Sequence, residues 1–347
     1  MRRPIMVLVL VAVAASGAGC ADAPPPASPA PAASGPVPCS PSVDLDGFSD
    51  TLETAAIDGR PVANLSALAA RPDGTVLALS DRSVLFTLDA AAGRPLAARP
   101  LAGRDGGPLD SEALVVDTDR TLLVTSETGP SVGRHTPDGR WLEDLPVPAP
   151  LRVAPAGRAT GNQTFEGLAL QPDGRTLVAS MEGPLAGDDP GLVRLATWTR
   201  ERPGAPFVPS AQYALRPDPG LGVSDLVATG DGRLLVLERG FAPGAGSTVH
   251  LAVADPAGAP DVAGVDRLPA DSPTVRTTTL ANVGDCPSLG AITHQPQANP
   301  LLDNIEGMTI TGRTPDGAWT LLLVSDDNEN ANQVTRTYRL TARLGPR

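Results

Sequence analysis

Apolar residues fall on every second position through several short stretches of this chain, and a tight turn interrupts each stretch near its middle. In TFEGLALQPDGRTLVASMEG, residues 164 to 183, Leu168 and Leu170 alternate before a Pro-Asp-Gly turn, and Leu177 and Ala179 alternate after it. Period-two alternation on both sides of such a turn predicts a β-hairpin, because Asp and Gly supply the backbone angles a tight turn needs. The unit recurs as LSALAARPDGTVLALSDRS from Leu65, DSEALVVDTDRTLLVTSETG from Asp110, VSDLVATGDGRLLVLERGF from Val223 and NIEGMTITGRTPDGAWTLLLVSDDN from Asn304. No long segment keeps the 3.6-residue apolar period of a helix.

Repetition of one hairpin at intervals of this length predicts an all-β chain folded as a β-propeller, whose blades stack radially and leave only short edges. The interval from Val223 to Asn304 is the longest and has room for a degenerate blade within residues 247 to 303. Five clear copies and one weak one predict six blades, with five and seven as the neighbouring counts. A β-sandwich is the alternative, but it does not account for a hairpin repeated with its acidic residues in place.

The N-terminus reads as a targeting segment: Arg2 and Arg3 precede the apolar run from Ile5 to Ala15, and small residues lead to Gly19-Cys20. A Cys in that position resembles a bacterial lipobox, which would make residues 1–20 a signal peptide and Cys20 the lipidated first residue; the alternative is an ordinary secretory signal on a secreted protein. The apolar run is too short for a transmembrane span, so the expected membrane contact is the lipid anchor alone, on an extracytoplasmic protein. Residues 21–38, ADAPPPASPAPAASGPVP, nearly lack large apolar side chains and read as a disordered tether. The folded domain is then 39–347. With Cys20 lipidated, Cys39 and Cys286 remain as an even pair in an oxidising compartment, predicting a disulfide. Under the chain-entropy model so long a loop contributes up to about 4–5 kcal/mol. If the N-terminal strand completes the last blade, this bridge helps to close the ring.

Aromatic residues make up only 3% of the chain, so aliphatic strands must carry the packing. The net charge is -12, and all 27 basic residues are Arg. An acidic chain without a basic tract excludes a nucleic-acid partner, since neutralising phosphates needs clustered cations.

The acids themselves are placed regularly. Glu166 precedes the turn residue Asp173 by seven positions and Glu182 follows it by nine, so both sit at the open end of the hairpin, more than about 20 Å from the turn. The same placement holds for Glu112 with Glu127, Asp225 with Glu238 and Glu306 with Asp326; in the first copy Ser66 replaces the leading acid and Asp81 keeps the trailing one. A propeller would gather these nine acids around one mouth. Crowded carboxylates repel unless a positive charge sits among them, and a hard cation with oxygen ligands, chiefly Ca²⁺, is the natural one. Arg82 and Arg239 follow trailing acids and are candidates to hold an anionic substrate.

One literal G-x-S-x-G match exists, Gly129 to Gly133 around Ser131. That motif works on a strained strand-to-helix turn, whereas here Pro130 and a following strand predict a hairpin loop. The three histidines, His135, His250 and His294, are scattered and show no zinc-type spacing; His294 is the one expected nearest the mouth.

The pieces FEGLAL with its PDG turn, TSETG, ERGF and NIEGMTI…LLLVSDDN resemble the phytase-like family, also described by its esterase-like activity. The resemblance runs from about Leu65 to Asn328, and it implies a secreted propeller. By analogy with propeller phytases it further implies calcium-assisted hydrolysis of a phosphoester. Propeller phytases hold phosphate with Lys and Arg; this chain has no Lys, which leaves Arg alone for that contact. Three readings follow. The first is a phosphoesterase with Glu112, Glu127, Glu166, Glu182, Glu306 and Asp326 as metal ligands, Glu166 and Glu182 as catalytic carboxylates, and Arg82 and Arg239 on the substrate. The second is a non-catalytic surface propeller with structural calcium; the third is a carboxylesterase. The expected partner is a small phosphoester or ester, and the expected state a monomer.

Overall fold

The computed structural model describes residues 35–91 and 93–347. The expected signal peptide, Cys20 and the expected tether as far as residue 34 lie outside the described residues. Each hairpin read from the sequence forms the inner half of an antiparallel sheet. Blade 1 comprises Leu65–Ala70, Thr75–Ser80, Val84–Asp89 and Arg94–Pro100, and blade 2 Ser111–Val116, Leu122–Ser126, Ser131–His135 and Trp141–Asp144. Blade 3 comprises Phe165–Leu170, Thr176–Met181, Val193–Thr199 and Val208–Leu215, and blade 4 Gly222–Ala228, Leu234–Ala242, Gly246–Asp255 and Arg276–Asn282. Blade 5 takes Ile305–Arg313, Trp319–Ser325 and Thr337–Ala342 from the C-terminal end and Val43–Ser49 from the start of the domain. The first strands of successive blades neighbour one another, and that of blade 5 closes on that of blade 1. Five inner strands therefore surround a central channel.

The all-β propeller is as expected, but it has five blades, not six. Residues 247–303 hold no further blade: Gly246–Asp255 and Arg276–Asn282 are the outer strands of blade 4, and the chain then crosses to blade 5 through the short 3-10 turn Val283–Asp285. Val37–Pro38, inside the expected tether, pairs with Leu45 and Asp44 as an edge strand. Order thus begins before Cys39. No helix among the described residues is long and apolar enough to cross a membrane.

Successive residues of a strand point to opposite faces, so each blade feeds two interfaces, and the core is divided to match. Leu235 and Leu237 pack with Ile305, Leu321 and Leu323 of blade 5, while Leu234 and Val236 pack with Val178 and Val193 of blade 3. Leu122 and Val124 join blade 1, Leu123 joins blade 3, and Val324 joins blade 1 on its other side. Five apolar clusters fill the five gaps between blades.

The ring is fastened where its ends meet. Val43–Ser49 pairs with Thr337–Ala342, so the first and last thirds of the chain share a blade. Beside that seam Cys39 and Cys286 form the expected disulfide, 247 residues apart in sequence and 4.1 Å between Cα atoms. Replacing both cysteines by Ser is expected to lower unfolding stability by about 2–4 kcal/mol, less than the full chain-entropy figure because the denatured chain is already compact. Urea titration of the oxidised and double-Ser proteins at one pH measures it; equal midpoints would show that the strand pairing alone closes the ring.

Candidate functional site

Near the start of every inner strand two residues oppose one on the neighbouring strand. Leu65 faces Ser80 while Ala67 already faces Leu79. The same slip occurs between Ser111 and Leu114, between Phe165 and Leu168, between Val223 and Asp225, and between Ile305 and Gly307. Such a β-bulge bends the strand and re-aims a side chain. The equivalent residues here are Ser66, Glu112, Glu166, Ser224 and Glu306. In blades 3 and 5 the following position is a glycine, because it abuts the next blade. A Cβ at Gly167 would meet the amide nitrogen of Leu226 at 2.8 Å, and one at Gly307 the Cα of Ala67 at 2.9 Å. This contact is the reason for the EGL and EGM pieces of the sequence.

A second tier comes from the residue that follows the second strand in four blades, Asp81, Glu127, Glu182 and Asp326, and from Arg239 within the longer second strand Leu234–Ala242 of blade 4. Of these ten positions all but Ser224 line one cavity of about 380 Å³ at the mouth of the channel. Among the described residues, these two tiers bring seven carboxylates and a single guanidinium to the mouth, and Asp110 makes an eighth carboxylate. Asp110, Asn304 and the loop residues Asn328 and Asn330 add further oxygen atoms to its wall.

Of the nine acids expected there, Asp225 and Glu238 are elsewhere. In blade 4 the frame is set by Leu226, and Ser224 and Arg239 occupy the positions that acids hold in other blades. Asp225 instead accepts the amides of Met308 and Leu226, each at 2.7 Å, and lines a separate cavity further along the inner strands. Glu238 accepts the amide of Asp218 at 3.0 Å, and Asp218 in turn meets His250 Nδ1 at 2.6 Å. Arg82 does not line the mouth: its side chain is 62% exposed and approaches Asp81 only at 3.6 Å. His294 stays outside too, 3.3 Å from the Ala331 carbonyl.

The electrostatics of the mouth follow from burial without enough positive charge. Burial, and then the neighbouring Glu306, Glu127, Asp110 and Asp81, push Glu112 up to about 9. Burial and then Glu112, Glu182, Glu306 and Glu127 raise Glu166 well above the usual carboxylate range. Asp326 is pushed up to about 8, by burial first and Glu306 second, and Asp81 to about 6, by burial opposed by Arg82. Burial also raises Glu127, against the amide of Thr164 that it accepts at 2.6 Å. For Glu182 and Glu306 the upward push of burial is opposed by Arg239. That guanidinium lies 3.1 Å from Glu306 and 3.8 Å from Glu182, and its Nε is buried without a partner.

The donor set fits a hard divalent cation. Oxygen atoms of Asp110, Glu112 and Glu127 lie within 4.8 Å of one another, as do those of Glu127, Glu166 and Glu182, so Glu127 is common to both groups. Glu112 and Glu166 are more than nine-tenths buried, and the neighbours that shift them most are other carboxylates. Ser66 Oγ, also buried at the mouth, has no hydrogen-bond partner. Oxygen ligands left unpaired in this way suit Ca²⁺.

The G-x-S-x-G stretch lies on no strand-to-helix turn. Ser131–His135 is a blade strand, and four extended residues separate Ser131 from His135 by about 13 Å. No hydrogen bond joins that serine to that base.

A family model described as "Phytase-like: Esterase-like activity of phytase" matches residues 60–329. An uncharacterized secreted protein of Arthroderma benhamiae is 28% identical over 183 residues, which cover 44% of this chain and 33% of that protein. The chain thus spans about a third of the length of that curated relative. Among solved structures, a gluconolactonase from Xanthomonas campestris aligns with a TM-score of 0.43 at 15% identity, over 83% of this chain and 74% of that one. The calcium-binding protein regucalcin from Agrobacterium tumefaciens aligns with a TM-score of 0.40 at 14% identity, over 87% of this chain and 97% of that one.

Proposed function

The chain belongs to the phytase-like family, and on that premise we propose that it is an extracytoplasmic hydrolase that holds calcium in its acidic mouth and cleaves a small phosphoester. The observation that carries this reading is the pair of carboxylate groups sharing Glu127, set in the same cavity as one buried guanidinium. Asp110, Glu112, Glu127, Glu166 and Glu182 would hold the cation, with Glu306 and Asp326 completing the negative wall. Bound there, calcium supplies charge neutralisation and Lewis acidity at a phosphoryl oxygen. Arg239 would bind the same phosphoryl group through the Nε–H that has no partner in the protein. Glu166 and Glu182 are the carboxylates assigned to take the proton of the attacking water. The targeting segment with Cys20, the disulfide and the secreted relative support a lipid-anchored location outside the cytoplasm.

Phosphate release from phytate and from an aryl phosphate, with calcium or with chelator, tests the reading. Calcium-dependent release from either substrate is the expected result. A second reading is favoured by one feature: Arg239, the only cation lining the mouth among the described residues, is already paired with Glu306. Calcium binding by folded protein without release from either substrate would make the mouth a binding cradle of a surface propeller.

A further inference from the structure

A cavity of about 620 Å³, larger than the mouth, opens between blades 1 and 2 beneath the segment from Gly103 to Leu109. Its floor is one face of blade 2. Val124 pairs with Gly133 and Ser126 with Ser131, and alternate residues share a face, so Ser126, Gly133 and His135 all present to it. Gly133 keeps the floor hollow: a Cβ there would meet His135 Cε1 at 2.8 Å and Asp144 Oδ1 at 3.5 Å. Trp141 forms a wall, its Nε1 donating to Asp144 Oδ1 at 2.9 Å.

The polar atoms of this floor are unsatisfied. His135 and Ser126 are each only 1% exposed, yet both ring nitrogens of the histidine and the Oγ of the serine lack a hydrogen-bond partner. Burial holds the imidazole below its ordinary value, although the carbonyls of Gly133 and Ala102 lie close enough to oppose the shift. It is therefore neutral, with one nitrogen donating and the other accepting. A buried polar group costs stability unless something pairs with it.

The charge and chemistry of the lining select the partner. An anion would satisfy donors only and would face Asp105 and Asp144; a cation would satisfy acceptors only and would face Arg104. A hydroxyl group both donates and accepts, which matches a neutral imidazole and a serine hydroxyl at two points of the same floor. The indole offers an apolar surface beside a polar edge, which suits the C–H face of a pyranose. The volume lies within the range of small-ligand pockets.

We propose that this cavity is a binding site for a neutral sugar, separate from the acidic mouth and independent of the chemistry there. The sugar hydroxyls pair with His135 and Ser126, and its ring lies against Trp141.

Saturation-transfer NMR and tryptophan fluorescence titration of the full chain with glucose, galactose, mannose and N-acetylglucosamine test this. At least one of these sugars is expected to bind, with Kd of about 1 mM. Trp141→Ala is expected to weaken that binding about tenfold, and Gly133→Ala to weaken it by filling the floor, while Glu166→Gln leaves it unchanged. Response to none of the four sugars would overturn the proposal and leave a cleft filled by solvent. Binding that persists undiminished in Trp141→Ala would overturn it too, by placing the sugar elsewhere.

Discussion

Glu166→Gln is expected to lower calcium-dependent phosphate release about 10²–10⁴-fold while raising the melting temperature of the calcium-free protein. Both effects come from the same side chain. Glu166 is buried among Glu112, Glu182, Glu306 and Glu127, so without calcium it must hold a proton or carry an uncompensated charge, and above pH 4 either costs stability. The amide keeps its shape and removes that cost. Once calcium is present the balance reverses, because the lost carboxylate was a ligand and the proton acceptor. The variant should therefore show a smaller calcium-induced rise in melting temperature and a weaker calcium isotherm by calorimetry. Glu127→Gln should weaken calcium binding still further, since that carboxylate belongs to both groups of oxygen ligands. Unchanged release together with an unchanged isotherm in Glu166→Gln would remove Glu166 from the site.

The hairpins of every blade were readable because each inner strand alternates between two buried interfaces, so its apolar period survives in the sequence. The outer strands carry no such period. Arg94–Pro100 and Arg276–Asn282 are largely exposed, and nothing in their sequences distinguishes a fourth strand from a connection. The blade count was lost in that way, and the long stretch of residues 247–303 passed for a blade of its own.

The acidic mouth was legible as a set, but its membership in blade 4 was not. Matching acid to acid puts Asp225 beside Glu166, whereas the bulge puts Ser224 there. The signal that decides it is the apolar residue two positions on: Leu68, Leu114, Leu168, Leu226 and Met308 share one frame, and counting back from them lands on Ser66, Glu112, Glu166, Ser224 and Glu306. The same frame makes Arg239 the fifth member of the outer tier and leaves Arg82 outside it. Asp110 was present in the DSEAL stretch and was missed because it lies before its strand, where only the fold turns it toward Glu112.

Metal-free protein is expected to lose stability as pH rises from about 4 to about 9, and calcium is expected to cancel most of that loss. A carboxyl whose pKa is higher folded than unfolded binds its proton more tightly in the native state. Its contribution is thus complete below the unfolded value, about 4 for Asp and Glu, and disappears as pH climbs through the folded value. Asp81 reaches its folded value at about 6, Asp326 at about 8 and Glu112 at about 9, and Glu166 is displaced in the same direction. Asp117 slopes the other way: although burial would raise it, Arg200 and Arg134 hold it at about 2, so its share is lost only in acid. Above pH 4 the mouth dominates. Melting in chelator should accordingly fall by about 5–10 °C between pH 5 and pH 9, the shift that several kcal/mol produces in a domain of this size. Calcium binds the deprotonated carboxylates and displaces their protons, so the rise it causes should be largest at the alkaline end and small at pH 5. A calcium response of equal size at both ends would mean that the ion is held by groups outside the mouth.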